Sequence, residues 1–184
     1  MLLLVAALTG CVASAEPEAN PTATVSPSET PTPTTEPEPQ VALPTCETMF
    51  SADMVATLTA DGLVLQPDNL FGGPSTFDGV LNVLNSLSES VTCTWILPNS
   101  DLLLTASVAT VNSSERTQLD GVLTSEGFTV SEALTGSLYM FEYTGEGSYL
   151  REAHLVLDAL SFSAQGSSGR EDQLTLDAAE QLLQ

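Results

Sequence analysis

Lysine is absent from this chain, and basic side chains of any kind are scarce: three arginines stand against 24 aspartates and glutamates in 184 residues, a formal charge of −21. A patch able to neutralise several phosphates cannot be assembled from that inventory, so nucleic acid is excluded as a partner. Without lysine there is no P-loop phosphate binding, no Schiff base and no Ser-Lys nucleophile. The single histidine, His154, rules out multi-histidine metal sites. No apolar run is long enough to cross the roughly 30 Å hydrocarbon core of a bilayer. Against these absences stands a hydrophobic fraction of 42% with only 15% charged residues, enough for one ordinary folded domain plus appendages.

The appendages come first. Residues Leu2 to Leu8 are aliphatic and run into Leu8-Thr9-Gly10-Cys11, a short apolar stretch suited to the core of a secretory signal. Leu8-Thr9-Gly10-Cys11 resembles the lipobox of bacterial lipoprotein precursors. That resemblance implies diacylglyceryl transfer to the Cys11 thiol, cleavage after Gly10, and a mature protein that begins at a lipidated Cys11. Two or three acyl chains, at about 0.8 kcal/mol per buried methylene, anchor stably where one is marginal. No Lys or Arg precedes the apolar stretch and the leader spans residues 1–10, so the expectation is a signal that starts upstream, with Met1 internal to it. Ala13-Ser14-Ala15 offers a rival cleavage site of the ordinary secretory type, which would discard Cys11.

Residues 11–45 then form the lipidated Cys and a linker. From Glu16 to Thr45 there are eight Pro, seven Thr and five Glu, with no aromatic and no basic residue. Steps such as Glu36-Pro37-Glu38-Pro39 favour polyproline II and offer no apolar face to offset ordering entropy, so this stretch reads as a disordered stalk. At 3.1 Å per residue it would reach roughly 90 Å, and its Thr/Pro content equally suits O-glycosylation or a bare spacer.

Residues 46–184 are expected to form a single α+β domain, an antiparallel sheet covered by helices on one or both faces. With Cys11 assigned to lipid, Cys46 and Cys93 remain as an even pair in an oxidising compartment, where a disulfide is the default and two free thiols the alternative. The chain-entropy model credits such a bridge with about 4 kcal/mol. Ser51 caps a helix through Ala60 with Met54, Val55 and Leu58 on one face, and Asp61-Gly62 stops it. Phe77, Val80, Leu81, Leu84 and Leu87 share the face of a second helix. Val91 to Leu97 reads as a strand, Pro98 to Asp101 as a turn, and Leu102 to Val111 as its antiparallel partner. Asn112-Ser113-Ser114-Glu115 is a variant capping box for a helix containing Leu119, Val122 and Leu123 that ends at Gly127. Leu138 to Tyr143 and Ala153 to Ala164, the latter a hairpin broken near Asp158-Ala159, supply further strands, and Thr175 to Leu183 a closing helix.

A lipobox Cys, a Thr/Pro stalk, a Cys just before a helix and a later Cys-x-Trp on a strand together resemble small actinobacterial-type cell-envelope lipoproteins. The matching residues are Cys11, Cys46, Cys93 and Trp95, and the resemblance implies a fold and an address without a reaction.

Chemistry is harder to find. His154 lies in a strand-like stretch with no G-x-S-x-G nucleophile turn elsewhere, and reads as a surface or packed strand residue whose replacement by Ala is nearly neutral. With 19 acidic residues in the domain, close carboxylate pairs carry no glycosidase signal. Asp61-Gly62 and Asp68-Asn69 lack the alternating oxygens of a Ca²⁺ loop. No catalytic residue, metal or cofactor is therefore assigned. Trp95 reads as core beside a bridged Cys93, or else as a ligand or partner contact. Arg116 is spaced for an i,i+4 pair with Asp120, whereas Arg151 and Arg170 read as solvated rim charges. The acidity favours a basic or cationic partner. The expectation is a non-enzymatic lipoprotein at the extracytoplasmic face of the cell membrane, held by its lipid, whose domain binds a cell-wall component, a small ligand or another envelope protein. An envelope hydrolase or its accessory factor is the alternative, and a structural display protein the third.

Overall fold

Alternating apolar residues impose most of the strands, and among the described residues seven assemble into one antiparallel sheet: β1 Val64–Gln66, β2 Ser90–Ile96, β3 Leu103–Thr110, β4 Thr129–Ala133, β5 Gly136–Gly145, β6 Ser148–Val156 and β7 Leu160–Gly166. The computed structural model describes residues 41–66, 72–145 and 148–184; Cys11 and the linker as far as Gln40 lie outside them. The strand order is β1-β2-β3-β7-β6-β5-β4. After β3 the chain crosses to the far edge and returns strand by strand, so that β7 closes the middle of the sheet against β3. The short β2–β3 connection is antiparallel as its length demands, with Asn99 at φ 63 in the turn.

Among the described residues four helices cover the two faces: α1 Ala52–Ala60 and α4 Glu171–Leu182 on one, α2 Asp78–Ser86 and α3 Ser113–Ser125 on the other. The Ser51 Oγ accepts from the Met54 amide at 3.2 Å, as expected of a cap, and also donates to Asp177 Oδ1 at 2.6 Å, which ties the start of α1 to α4. The capping box of α3 is complete: Asn112 Oδ1 accepts from the Ser114 and Glu115 amides, and Glu115 Oε2 accepts from the Asn112 amide. Gly127, at φ 87, carries the chain out of α3 in a conformation that favours glycine. Helix α4 begins four residues ahead of the expected Thr175, because the Glu171 carboxylate accepts from both the amide and the hydroxyl of Ser168 and organises the first turn. Val55, expected on the buried face of α1, is 36% exposed.

The face under α1 and α4 is an ordinary apolar core. Leu104, Ala106, Val108, Leu155, Phe162 and Leu174 are buried there. Cys46 and Cys93 are joined by a disulfide with Sγ atoms 2.02 Å apart, which pins the segment before α1 to β2. Trp95 is core: it is 4% exposed and meets the Phe50 ring edge-on at 5.1 Å. Its odd position in β2 points it to the same face as Cys93, where α1 covers it.

The arginines are more engaged than a solvated rim implies. Arg116 pairs with Asp120 at 3.9 Å and also reaches Asp158. Arg151 joins Asp172 at 3.2 Å and donates to the Gly169 carbonyl, and Arg170 joins Asp61 at 3.0 Å. Both correct the expectation of free charges.

Candidate functional site: a buried polar belt

Two-residue periodicity means that every strand with an apolar face has a second face, and in the middle of this sheet the second face is polar. Register places Thr92, Ser107, Ser163 and His154 in one row across β2, β3, β7 and β6, and Thr94, Thr105, Gln165 and Glu152 in the next. Thr94, Thr105, Glu152 and His154 have no exposed surface at all. Helices α2 and α3 lie over one end of this face, around Val156, Ala109 and Tyr139. The remainder is overlain by the segment Gly72–Phe77 that leads into α2, and this strap is bonded down side chain by side chain.

Glu152 is the main fastening. Its Oε2 accepts from Ser75 Oγ at 2.7 Å, and its Oε1 accepts from the Thr76 amide at 2.7 Å and from the Thr76 hydroxyl. Gln165 adds an Nε2–H donated to the Gly73 carbonyl at 3.1 Å. Phe77, at the strap's end, packs edge-on against Phe128 and Phe141 at 5.1 and 4.8 Å. These contacts need a charged carboxylate at Glu152. Burial pushes its pKa up, but bonds from His154 and Thr76 outweigh burial and hold it below the ordinary 4.5.

His154 completes the network. Its Nε2 lies 3.3 Å from Glu152 Oε2 and its Nδ1 2.8 Å from Ser163 Oγ, while Phe128 packs against the ring at 5.2 Å. This corrects the view of His154 as a residue whose replacement is nearly neutral: it is fully buried, and both ring nitrogens have partners. Beside it Tyr139 donates to Asp120 Oδ1 at 3.0 Å; burial and that carboxylate raise the phenol above its usual 10.0.

Ser163, His154 and Glu152 are the residue types of a hydrolytic triad in contact order, yet the setting differs from one. Ser163 is 2% exposed and sits in the middle of β7, whose ladders to β3 and β6 occupy the backbone on both sides. A nucleophile needs an approach for substrate and free N–H donors for an oxyanion, and a central strand offers neither. In the structure the three side chains form a chain of contacts that ends on the strap. Among the described residues no group of three or more His, Cys, Asp or Glu is placed to hold a metal ion.

Two hydroxyls on this face stand apart. Thr105 Oγ1 and Ser161 Oγ are buried with no hydrogen-bond partner, which costs about 1–3 kcal/mol for each such group. Of the residues singled out from sequence, the structure brings Cys46, Cys93 and Trp95 together in the opposite core, and Cys11 lies outside the described residues. No local signal in the sequence marks the belt. Thr92-x-Thr94, Thr105-x-Ser107, Glu152-x-His154 and Ser161-x-Ser163-x-Gln165 each alternate with apolar residues, a pattern that normally marks a solvated face. Only the pairing of the four strands brings these polar residues into register. Compared with protein-family models, curated proteins and solved structures, the chain matches none.

Proposed function

We propose that the chain is a lipid-anchored, extracytoplasmic binding domain carried on a Pro/Thr/Glu-rich stalk. Leu8-Thr9-Gly10-Cys11 carries this reading: a thiol after small residues at the end of an aliphatic stretch is the chemistry that lipid transfer and cleavage require. The Cys46–Cys93 disulfide supports it, since such bridges persist in oxidising compartments outside the cytosol. The strongly acidic composition adds a preference for a basic or cationic partner. Fatty-acid labelling of the chain in a bacterial host, with a complete signal, tests the anchor. Label on the native chain that disappears in Cys11→Ala is the expected result, and label that survives the substitution contradicts it.

A hydrolase reading has one observation in its favour, the contact of Ser163 with His154 and of His154 with Glu152. It requires ester or amide cleavage by the purified chain that Ser163→Ala abolishes while the fold is retained. On the binding reading, Ser163→Ala changes stability alone.

A further inference from the structure

Strand β4 is shorter than the strand it borders, and the mismatch leaves a step at that edge of the sheet. It pairs with residues 136–140 of β5, whereas β5 runs on to Gly145 and is paired along that extension by β6 alone. Upstream of Thr129 the chain bends away at Gly127 toward α3 and does not fill the gap. Two side-chain bonds fix which backbone groups face it. The hydroxyls of Ser131 and Thr129 donate to the Leu138 and Met140 carbonyls, so those two residues turn their backbone groups toward β4. Direction alternates along an antiparallel strand, which aims the N–H and C=O of Glu142 and Thr144 the same way, past the start of β4. Glu142, Tyr143 and Thr144 are all exposed, and among the described residues no backbone bond joins them to anything outside the ladder with β6.

Charge around the step is also unbalanced. Glu142 and Arg151 stand opposite each other across the ladder, the ordinary setting for an ion pair. Arg151 is drawn away instead, onto Asp172 at 3.2 Å and the Gly169 carbonyl at 3.0 Å. Glu142 is left without an ionic partner among the described residues. With Gly127, Thr129, Met140, Phe141 and Arg151 it lines a cleft of about 390 Å³. An open strand edge, an unpaired carboxylate and a cleft therefore coincide.

We propose that the edge of β5 at residues 142–144 takes an extended segment of another protein as an added strand, with a lysine or arginine of that segment on Glu142. This deepens the binding-domain reading and rests on it. Main-chain groups spaced along an open edge suit a peptide, whose own N–H and C=O groups repeat in step with them. A small cation would meet the carboxylate and leave those groups to water. Side chains of the added strand fall alternately on the two faces, one beside Met140 and Glu142, the next beside Phe141 and Tyr143. Tyr143 is 53% exposed and offers an apolar surface, so the pattern recognised is a basic residue between two apolar ones. Arg151 does not oppose the incoming charge, because Asp172 already compensates it. A second copy of this chain fits poorly, since it brings a charge of −21 and no lysine.

The acetylated and amidated pentapeptide Thr-Val-Lys-Val-Thr is a probe with that pattern. It is titrated to about 5 mM into the full chain carrying Cys11→Ala while backbone amide resonances are followed. Saturable shifts centred on Glu142 and Thr144, with slowed exchange of those two amides, are expected. Glu142→Gln keeps the shape and removes the charge, and should weaken binding about threefold. Thr144→Pro removes an N–H that faces the gap and leaves the ladder with β6 its bonds, so saturation should vanish while the amides of β7 keep their positions. Shifts that do not saturate, shifts centred on the outer edge of β4 or β1, equal affinity for Thr-Val-Glu-Val-Thr, or full binding by Thr144→Pro would each overturn the proposal. Shifts at residues 142–144 that grow with chain concentration alone would make a second copy the occupant and overturn it as well. Fatty-acid labelling of Cys11 in the native chain is indifferent to all of these outcomes, so the anchored reading stands or falls separately.

Discussion

The two faces of the sheet are built from the same strands on opposite principles. Under α1 and α4, β7 presents Leu160, Phe162 and Ala164 to an apolar core. The alternate residues Ser161, Ser163 and Gln165 face the other way, into a belt of hydroxyls, an amide, an imidazole and a carboxylate closed over by a non-helical strap. The first face is held by area removed from water and tolerates rearrangement of similar volume. The second is held by partners that must all be present, because a half-satisfied buried network is worse than an apolar one. Stability resides mainly in the first face, and conformational specificity in the second.

Substitutions on the neighbouring strands β6 and β7 separate the two principles. Phe162→Ala opens a cavity in the apolar core and is expected to cost about 3–5 kcal/mol in urea unfolding. Glu152→Ala leaves the donors of Ser75, Thr76 and His154 without an acceptor, and about 3 kcal/mol is expected by the same measurement. His154→Ala should fall a little below that, since Glu152 retains the strap contacts. Ser163→Ala removes one hydrogen bond from His154 and should cost about 1 kcal/mol. Arg116→Ala, at the exposed pair with Asp120 and Asp158, should stay within about 0.5 kcal/mol. A Phe162→Ala loss no larger than that of Ser163→Ala would dissolve the distinction between the faces.

Acid sharpens the comparison, because the strap over the polar face is fastened to a carboxylate, Glu152. The folded pKa of Glu152 is held below 4.5. A depressed carboxyl contributes stability that is present above its unfolded value and is lost as pH falls through the folded one. The melting temperature of the native chain should therefore hold from neutrality to about pH 5 and decline as pH drops below 4.5. Glu152→Gln should start lower and decline less steeply.

Much of this fold was legible in the residues. The caps at Ser51 and Asn112, the stop at Gly127, the antiparallel β2–β3 pair and the hairpin near Asp158-Ala159 follow from local chemistry, and each stands where the sequence places it. So does the Cys46–Cys93 bridge, which follows from parity once Cys11 is set aside. Strands β1 and β4 were not legible. The first has three residues, and the second, Thr-Val-Ser-Glu-Ala, is almost wholly exposed, so neither carries a periodic signal. The belt escaped for a different reason. Polar alternation in an antiparallel strand looks the same whether water or another layer of protein lies over it. Only the long-range pairing of β3 with β7, and the strap's return onto Glu152 across 76 positions, decide between them. His154 shows the consequence most plainly: its neighbours in sequence are apolar strand residues, and its function in the fold is set by Ser163 and Glu152 across the sheet.

The central claim is that the Glu152 carboxylate fastens the Gly72–Phe77 segment over the polar face while the opposite core stands independently. Amide hydrogen exchange at Thr76 tests it most directly, because that N–H is bonded to Glu152 Oε1 and, among the described residues, to no backbone carbonyl. The native chain should protect Thr76 against exchange. In Glu152→Gln, protection at Thr76 should fall by more than tenfold while amides of α4 and of β3 keep theirs. An unprotected Thr76 in the native chain, or a loss in Glu152→Gln spread evenly over both faces, would contradict the account.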